Sequence, residues 1–172
     1  MSFTLGDTLK CSDRLTRDSG GGGSIMEFGN MRTIIAGSRT IFDYSLVERA
    51  IVDSGFVITS LVTGMAAGVD SLGYRWAYVN KIPIHVFRPD WNAHGKSAGH
   101  LRNFEMAANA DQAIIVWDGV SPGTKSMIEY ARKCQVHVYL VTVNVPSLVT
   151  QGREQSTTTQ ASAQSAPLPT LA

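Results

Sequence analysis

Residues 58–80 read ITSLVTGMAAGVDSLGYRWAYVN, and this stretch decides the fold. Its first part, ITSLVTG, is a short apolar run that stops at Gly64, the pattern of a buried strand. Its second part, GVDSLGYRWAYVN, places Val69, Leu72, Trp76 and Ala77 at helical spacing. Between them lie Gly64 and Gly68, two glycines around small residues immediately before the helix. A strand that runs through such a loop into a helix is half of a βαβ unit.

The same alternation recurs on both sides. RTIIAG is a strand ending at Gly37. From Asp43 a helical pattern puts Leu46, Val47, Ala50 and Ile51 on one face, with Asp43 able to cap it and Gly55 placed to end it. Downstream, IPIHVF is the third strand, and the polar loop RPDWNAHGKSAG leads into a helix carrying Leu101, Phe104 and Ala108. QAIIVW is the fourth strand, TKSMIEYARK a helix with Met127, Ile128 and Ala131 inward, and VHVYLV the fifth strand. The strands are apolar nearly throughout, as happens when helices cover both faces. The expected class is α/β: a single-domain, Rossmann-like, doubly wound parallel sheet of about five strands with helices on both faces. In the order 3-2-1-4-5 a ligand would sit at the carboxyl ends of strands one and four, where the order reverses.

Composition divides the chain. Residues 1–30 are polar and contain Gly20, Gly21, Gly22 and Gly23 between Ser19 and Ser24, a flexible run that reads as a linker, a fusion scar or a leader; Met26 and Met31 are alternative starts. Residues 144–172 are rich in Ser, Thr, Gln, Ala and Pro and bury too little apolar surface to offset their ordering entropy. Both ends are expected to be disordered, leaving 31–143 as the folded domain. The 172 residues carry 15 Lys and Arg against 14 Asp and Glu, a net charge of +1. That balance disfavours tight nucleic-acid binding, which wants a basic face. No apolar run approaches the length of about 18 residues that a membrane span needs, and MSFTLGDTLKCSDR has no apolar signal core. A cytoplasmic protein is the expectation. Cys11 and Cys134 lie outside any CxxC pair, so neither a zinc site nor thioredoxin-type chemistry is indicated, and no metal or other cofactor is expected.

The loops after the strands are the polar, Gly-rich segments, and they carry the candidate site. Gly37, Ser38 and Arg39 offer a close backbone approach, a hydroxyl and a guanidinium fork. Gly64, Ala66 and Gly68 expose backbone donors at a helix N-terminus, a ready anion site. Asp70 either bonds a sugar hydroxyl or caps its own helix, and spacing alone favours the cap. Asp90, Trp91, His94, Lys96, Arg102 and Asn103 fall in the densest segment, where His94, Lys96, His100 and Arg102 gather cations and Trp91 adds a stacking surface. Gly119, Gly123 and Thr124 follow the fourth strand and can present N–H groups and a hydroxyl to phosphate. The convergent chemistry of hydroxyls, backbone donors and arginines suits a nucleotide or a phosphorylated ribose.

At these residues the chain resembles a known family. AGSR, VTGMAAGVDSLGYRWA, FRPDWNAHGKSAGHLRNFEM, ADQAIIVWDG and GTKSMIEYARK together are similar to the YspA-type, cpYpsA-related family of the SLOG superfamily, over nearly all of 31–143. The resemblance implies a Rossmann-like domain that binds a nucleotide or nucleotide-derived ligand as a sensor or sequestering module, in a phage or defence setting. The superfamily also holds the LOG phosphoribohydrolases, which cut the N-glycosidic bond of nucleoside monophosphates with an Arg-Lys pair and a PGGxGTxxE motif. By that resemblance Arg102 matches the arginine, Asn103 stands where lysine would be, and Gly123 and Thr124 match the glycine and threonine. Ser126 and Met127 fill the carboxylate positions, and Glu129 lies about one and a half helical turns past Thr124. Glycosidic cleavage needs a carboxylate, so the enzymatic alternative, a hydrolase of that bond, rests on Arg102, Glu105 and Asp118 as candidate catalytic residues. A second alternative, a DprA/Smf-like single-stranded DNA binder, follows from TGMAAGVDSLGYRWA. A homodimer is the expected assembly, as in many superfamily members.

Overall fold

Thr33, Ile34, Ile35 and Ala36 are buried in succession, so neither face of the first strand sees water. That burial is possible because helices cover the sheet on both sides. The computed structural model describes residues 29–143; the expectations for 1–28 and 144–172 lie outside it. The elements in order are β1 (Arg32–Gly37), α1 (Tyr44–Ser54), β2 (Ser60–Thr63), α2 (Val69–Val79), β3 (Ile84–Val86), α3 (Trp91–His94), a 3-10 turn (Gly95–Ser97), α4 (Ala98–Ala108), β4 (Gln112–Trp117), α5 (Pro122–Lys133) and β5 (His137–Thr142). All four strand pairings are parallel, in the order β3-β2-β1-β4-β5.

The pleat sorts the apolar side chains into two layers. Ile34, Ala36, Ala113 and Ile115 pack with Met106, Met127, Ile128 and Ala131 of α4 and α5. Ile35, Ile114 and Val116 pack with Val47, Ala50 and Ile51 of α1 and Val69 and Ala77 of α2. The chain therefore winds one way from β1 to β3, returns to β4 beside β1, and winds the other way to β5. The helices that follow β1 and β4 lie on opposite faces of the sheet, which opens a crevice at its carboxyl end.

Local chemistry sets the boundaries. Asp43 accepts from the Ser45 and Leu46 N–H groups at the start of α1, and Gly55 ends it in the left-handed region at φ 65. β3 is shorter than the run IPIHVF predicts. Pro83 has no N–H to give, but its carbonyl accepts from Leu61 at 2.8 Å, and Phe87 donates to the Thr63 carbonyl at 2.9 Å.

One expectation needs correction. The segment predicted as an open loop folds into α3 and the 3-10 turn, because Asp90 caps it by accepting from the Ala93 N–H at 2.9 Å. On α4, Leu101, Phe104 and Ala108 are partly buried, and Phe104 and Ala108 pack against the core. Ala98, Arg102, Asn103, Met106 and Ala107 are the buried residues of the helix. Among the described residues no helix is long and apolar enough to cross a membrane.

Ile114 is fully buried at the centre of the sheet. Ile114→Ala should lower unfolding stability by about 2–5 kcal/mol in urea denaturation; a loss below about 1 kcal/mol would contradict the two-layer core.

Candidate functional site

The crevice is built around two loops pressed together. Gly68 adopts φ 77, and a Cβ on it would collide with the Ser38 carbonyl, so the β2–α2 loop can lie directly on the β1–α1 loop. Ser38 anchors that contact from below. Its N–H donates to the Val116 carbonyl at 3.0 Å, and its fully buried hydroxyl accepts from the Asp118 N–H at 3.0 Å.

Asp70 opens the first turn of α2 but does not cap it. Its Oδ1 accepts from the Gly37 N–H at 3.3 Å, and the Gly64 and Ala66 N–H groups also bond its carboxylate. The capping role favoured by spacing is thus replaced by a clamp across two loops. Asp70 is 4% exposed, and burial pushes its carboxyl up to about 6, with Arg102 and the three N–H groups pulling the other way.

Arg102 comes from α4. It is 8% exposed, and its Nε and Nη1 are buried without a hydrogen-bond partner. Its guanidinium occupies the space that a Cβ on Gly64 would fill. Burial is the main cause that lowers its pKa and Arg39 adds to it, while Asp70 opposes both. A buried cation with unmet donors is costly and rare, and it calls for an explanation in terms of a missing partner.

These groups line one cavity of about 300 Å3, together with Gly37, Arg39, Ala66, Asn103, Gly123 and Thr124. Ala36, Met106 and Met127 supply its apolar part, and Ser121 and Pro122 complete the rim. Pro122 begins α5, so the Gly123 and Thr124 N–H groups belong to the first turn, which has no intrahelical acceptors to offer them. Asn103 donates to the Gly123 carbonyl at 3.2 Å and ties α4 to that turn. Arg39, Asp70 and Arg102 are the charged side chains of the lining. A wider groove of about 630 Å3 lies near the β3 edge among Tyr78, Val79, Lys81 and Ile82, but it has no comparable convergence of buried donors.

Several predicted residues stand elsewhere. Asp118 braces its own loop by accepting from the Val120 and Ser121 N–H groups, the Ser121 hydroxyl and the Thr40 hydroxyl. Burial works against its ionisation, but hydrogen bonds from Ser121, Val120 and Ser38 hold its carboxyl well below the usual range. Gly119, at φ 80, belongs to the same brace. Glu105 is exposed on α4 outside the lining. Asp90 is occupied as a cap, Trp91 is 55% exposed, and His94 and Lys96 are exposed; none of the four lines the cavity. The predicted cation cluster is thereby split, with Arg102 inside and His94 and Lys96 outside.

Sequence reasoning missed Met106 and Met127, which look like ordinary core at helical spacing. It also missed Met65, a non-glycine in the left-handed region at φ 53 beside the Arg102 slot. No sequence signal marked that strain.

Comparison with known proteins finds one family and a phage relative. The model of the YspA, cpYpsA-related SLOG family matches residues 31–94, a span that contains Arg39, Gly64 and Asp70 and stops before Arg102. The Gene 61 protein of Mycobacterium phage D29 is 37% identical over 119 residues, covering 62% of this chain and 93% of that protein.

The Asp70 carboxyl, at about 6 in the folded protein, lies above its unfolded value of about 3.9. Below the unfolded value it is protonated in both states and has no effect. As pH rises the unfolded chain ionises first, so the native state loses stability until the folded value is passed, and the loss is constant above it. Relative to Asp70→Asn, the wild type should lose about 1–3 kcal/mol between about pH 4.5 and 7.5 in urea titrations. A pH-independent difference would contradict a carboxyl raised by burial.

Proposed function

We propose that this chain, which belongs to the YspA, cpYpsA-related SLOG family, binds a nucleotide or nucleotide-derived ligand in the crevice, as a sensor or sequestering module. The observation that carries the reading is the pair of unpartnered buried donors on Arg102. An anionic group of the ligand, a phosphate in a phosphorylated ribose, supplies their acceptor. Arg39 adds a second cation at the rim, and the Gly123 and Thr124 N–H groups add the positive end of α5. Gly37 and Ala66 form walls where backbone approaches the ligand, and Met106 and Met127 give the apolar surface that most ligand pockets contain. The relative in a mycobacterial phage supports a phage or defence setting.

Binding is favoured over cleavage by the position of the carboxylates. Glu105 and Asp118 are outside the lining, and Asp118 is consumed by its brace. Asp70 lines the cavity but is pinned by three backbone donors. A glycosidase carboxylate must instead reach the sugar or an attacking water.

The test is a thermal-shift screen with adenosine monophosphate, NAD and ADP-ribose, followed by titration of the best ligand. We expect stabilisation by at least one of them. Arg102→Ala should weaken binding roughly 10- to 100-fold, the range for a hydrogen bond to a charged group. Gly64→Ala should weaken binding similarly while keeping the arginine, because the new methyl displaces the guanidinium. No shift with any nucleotide, or unchanged binding in Arg102→Ala, would defeat the proposal. Release of free base that Arg102→Ala abolishes would replace it with the hydrolase reading.

A further inference from the structure

The anion site has a carboxylate built into it, in the same cavity lining as Arg102. Asp70 is held by the Gly37, Gly64 and Ala66 N–H groups at the start of α2. Arg102 is held in the slot over Gly64, which side-chain bulk would close. An anion that reaches Arg102 therefore meets a second negative charge in a place with little water to screen it, where repulsion is several-fold stronger than in bulk solvent. Moving either side chain would break the clamp or empty the slot. A proton is the one component that can be added without moving either.

Resting on the nucleotide reading above, we infer that the crevice takes up the anionic group of its ligand together with one proton, which Asp70 holds for as long as the ligand stays bound. The proton comes from solvent and forms an O–H bond on the Asp70 carboxylate. It returns to solvent when the ligand leaves, and no covalent bond of the ligand changes. The charged side chains of the crevice are Arg102 from α4, Arg39 from the β1–α1 loop and Asp70 itself; its lining contains no histidine or lysine to take the proton instead. Burial already places the ligand-free carboxyl near neutrality, at about 6, and a nearby anion pushes it further in the same direction. The consequence is a binding site whose affinity falls as pH rises, even for a ligand that does not itself titrate.

Isothermal titration with ADP-ribose tests this, because its two phosphates carry no proton that titrates near neutrality. Runs at pH 7 in buffers of different ionisation enthalpy should show uptake of about half a proton or more per ligand, and binding several-fold tighter at pH 6 than at pH 8. Asp70→Asn should remove both effects. Binding with no buffer dependence overturns the inference and leaves the nucleotide reading standing. Uptake that survives in Asp70→Asn also overturns it, since the proton then goes elsewhere. Absence of binding to ADP-ribose, adenosine monophosphate and NAD alike overturns the nucleotide reading and this inference with it. Should Asp70→Asn fail to fold, or adenosine monophosphate alone bind, carboxyl carbon NMR of aspartate-labelled wild type decides the matter. One aspartate resonance should move to the protonated position on ligand addition, and a set of unmoved resonances overturns the inference.

Discussion

The constraint on which the crevice depends is the burial of Arg102 beside Asp70. Taking a guanidinium and a carboxylate out of water is expensive, and their attraction repays it only when the remaining donors and acceptors are met. Asp70 meets its acceptors with three backbone N–H groups. Arg102 leaves Nε and Nη1 unmet. Much of the local sequence serves this arrangement. Gly64 makes room for the guanidinium, Gly68 lets two loops touch, and Asn103 fixes α4 to the first turn of α5. Ser38 and Asp118 lock the β1–α1 and β4–α5 loops on either side of the crevice. A protein that holds a charged group buried and incompletely bonded carries strain that a ligand can relieve.

The fold was legible in the chain because its signals are local and repeated. RTIIAG and QAIIVW match β1 and β4 residue for residue, since apolar runs bounded by Gly or polar residues leave little choice. The strand order was legible too, as parallel strands joined by helices admit few arrangements. On α4 the apolar period of Leu101, Phe104 and Ala108 marks only part of the packed surface: Phe104 and Ala108 meet the core, and Phe104 packs edge-on against Tyr130 at 5.7 Å between centroids. The face that matters carries Arg102 and Asn103, and polar residues do not announce burial. Only a tertiary contact with Gly64 and Gly123 reveals it.

The site was half legible for a similar reason. Loop position identified Gly37, Arg39, Gly64, Ala66, Asp70, Gly123 and Thr124, all within or against the crevice. It did not separate a group that bonds a ligand from one that bonds a neighbouring loop. Ser38 and Asp118 have the chemistry of ligand contacts, yet they spend it on each other and on Ser121. Asp90 and Trp91 read as part of a polar loop, yet Asp90 caps a short helix that begins at Trp91. Proximity in sequence gathered His94, Lys96 and Arg102 into one cluster, whereas the helix start at Ala98 turns them to different surroundings.

The central claim is that the unmet donors of Arg102 belong to the anion of a nucleotide-derived ligand. A crystal structure with adenosine monophosphate or ADP-ribose bound tests it most directly. We expect a phosphate oxygen within hydrogen-bonding distance, about 2.7–2.9 Å, of Arg102 Nε or Nη1. A ligand seated elsewhere on the protein, with both Arg102 nitrogens still unpartnered, would contradict the claim.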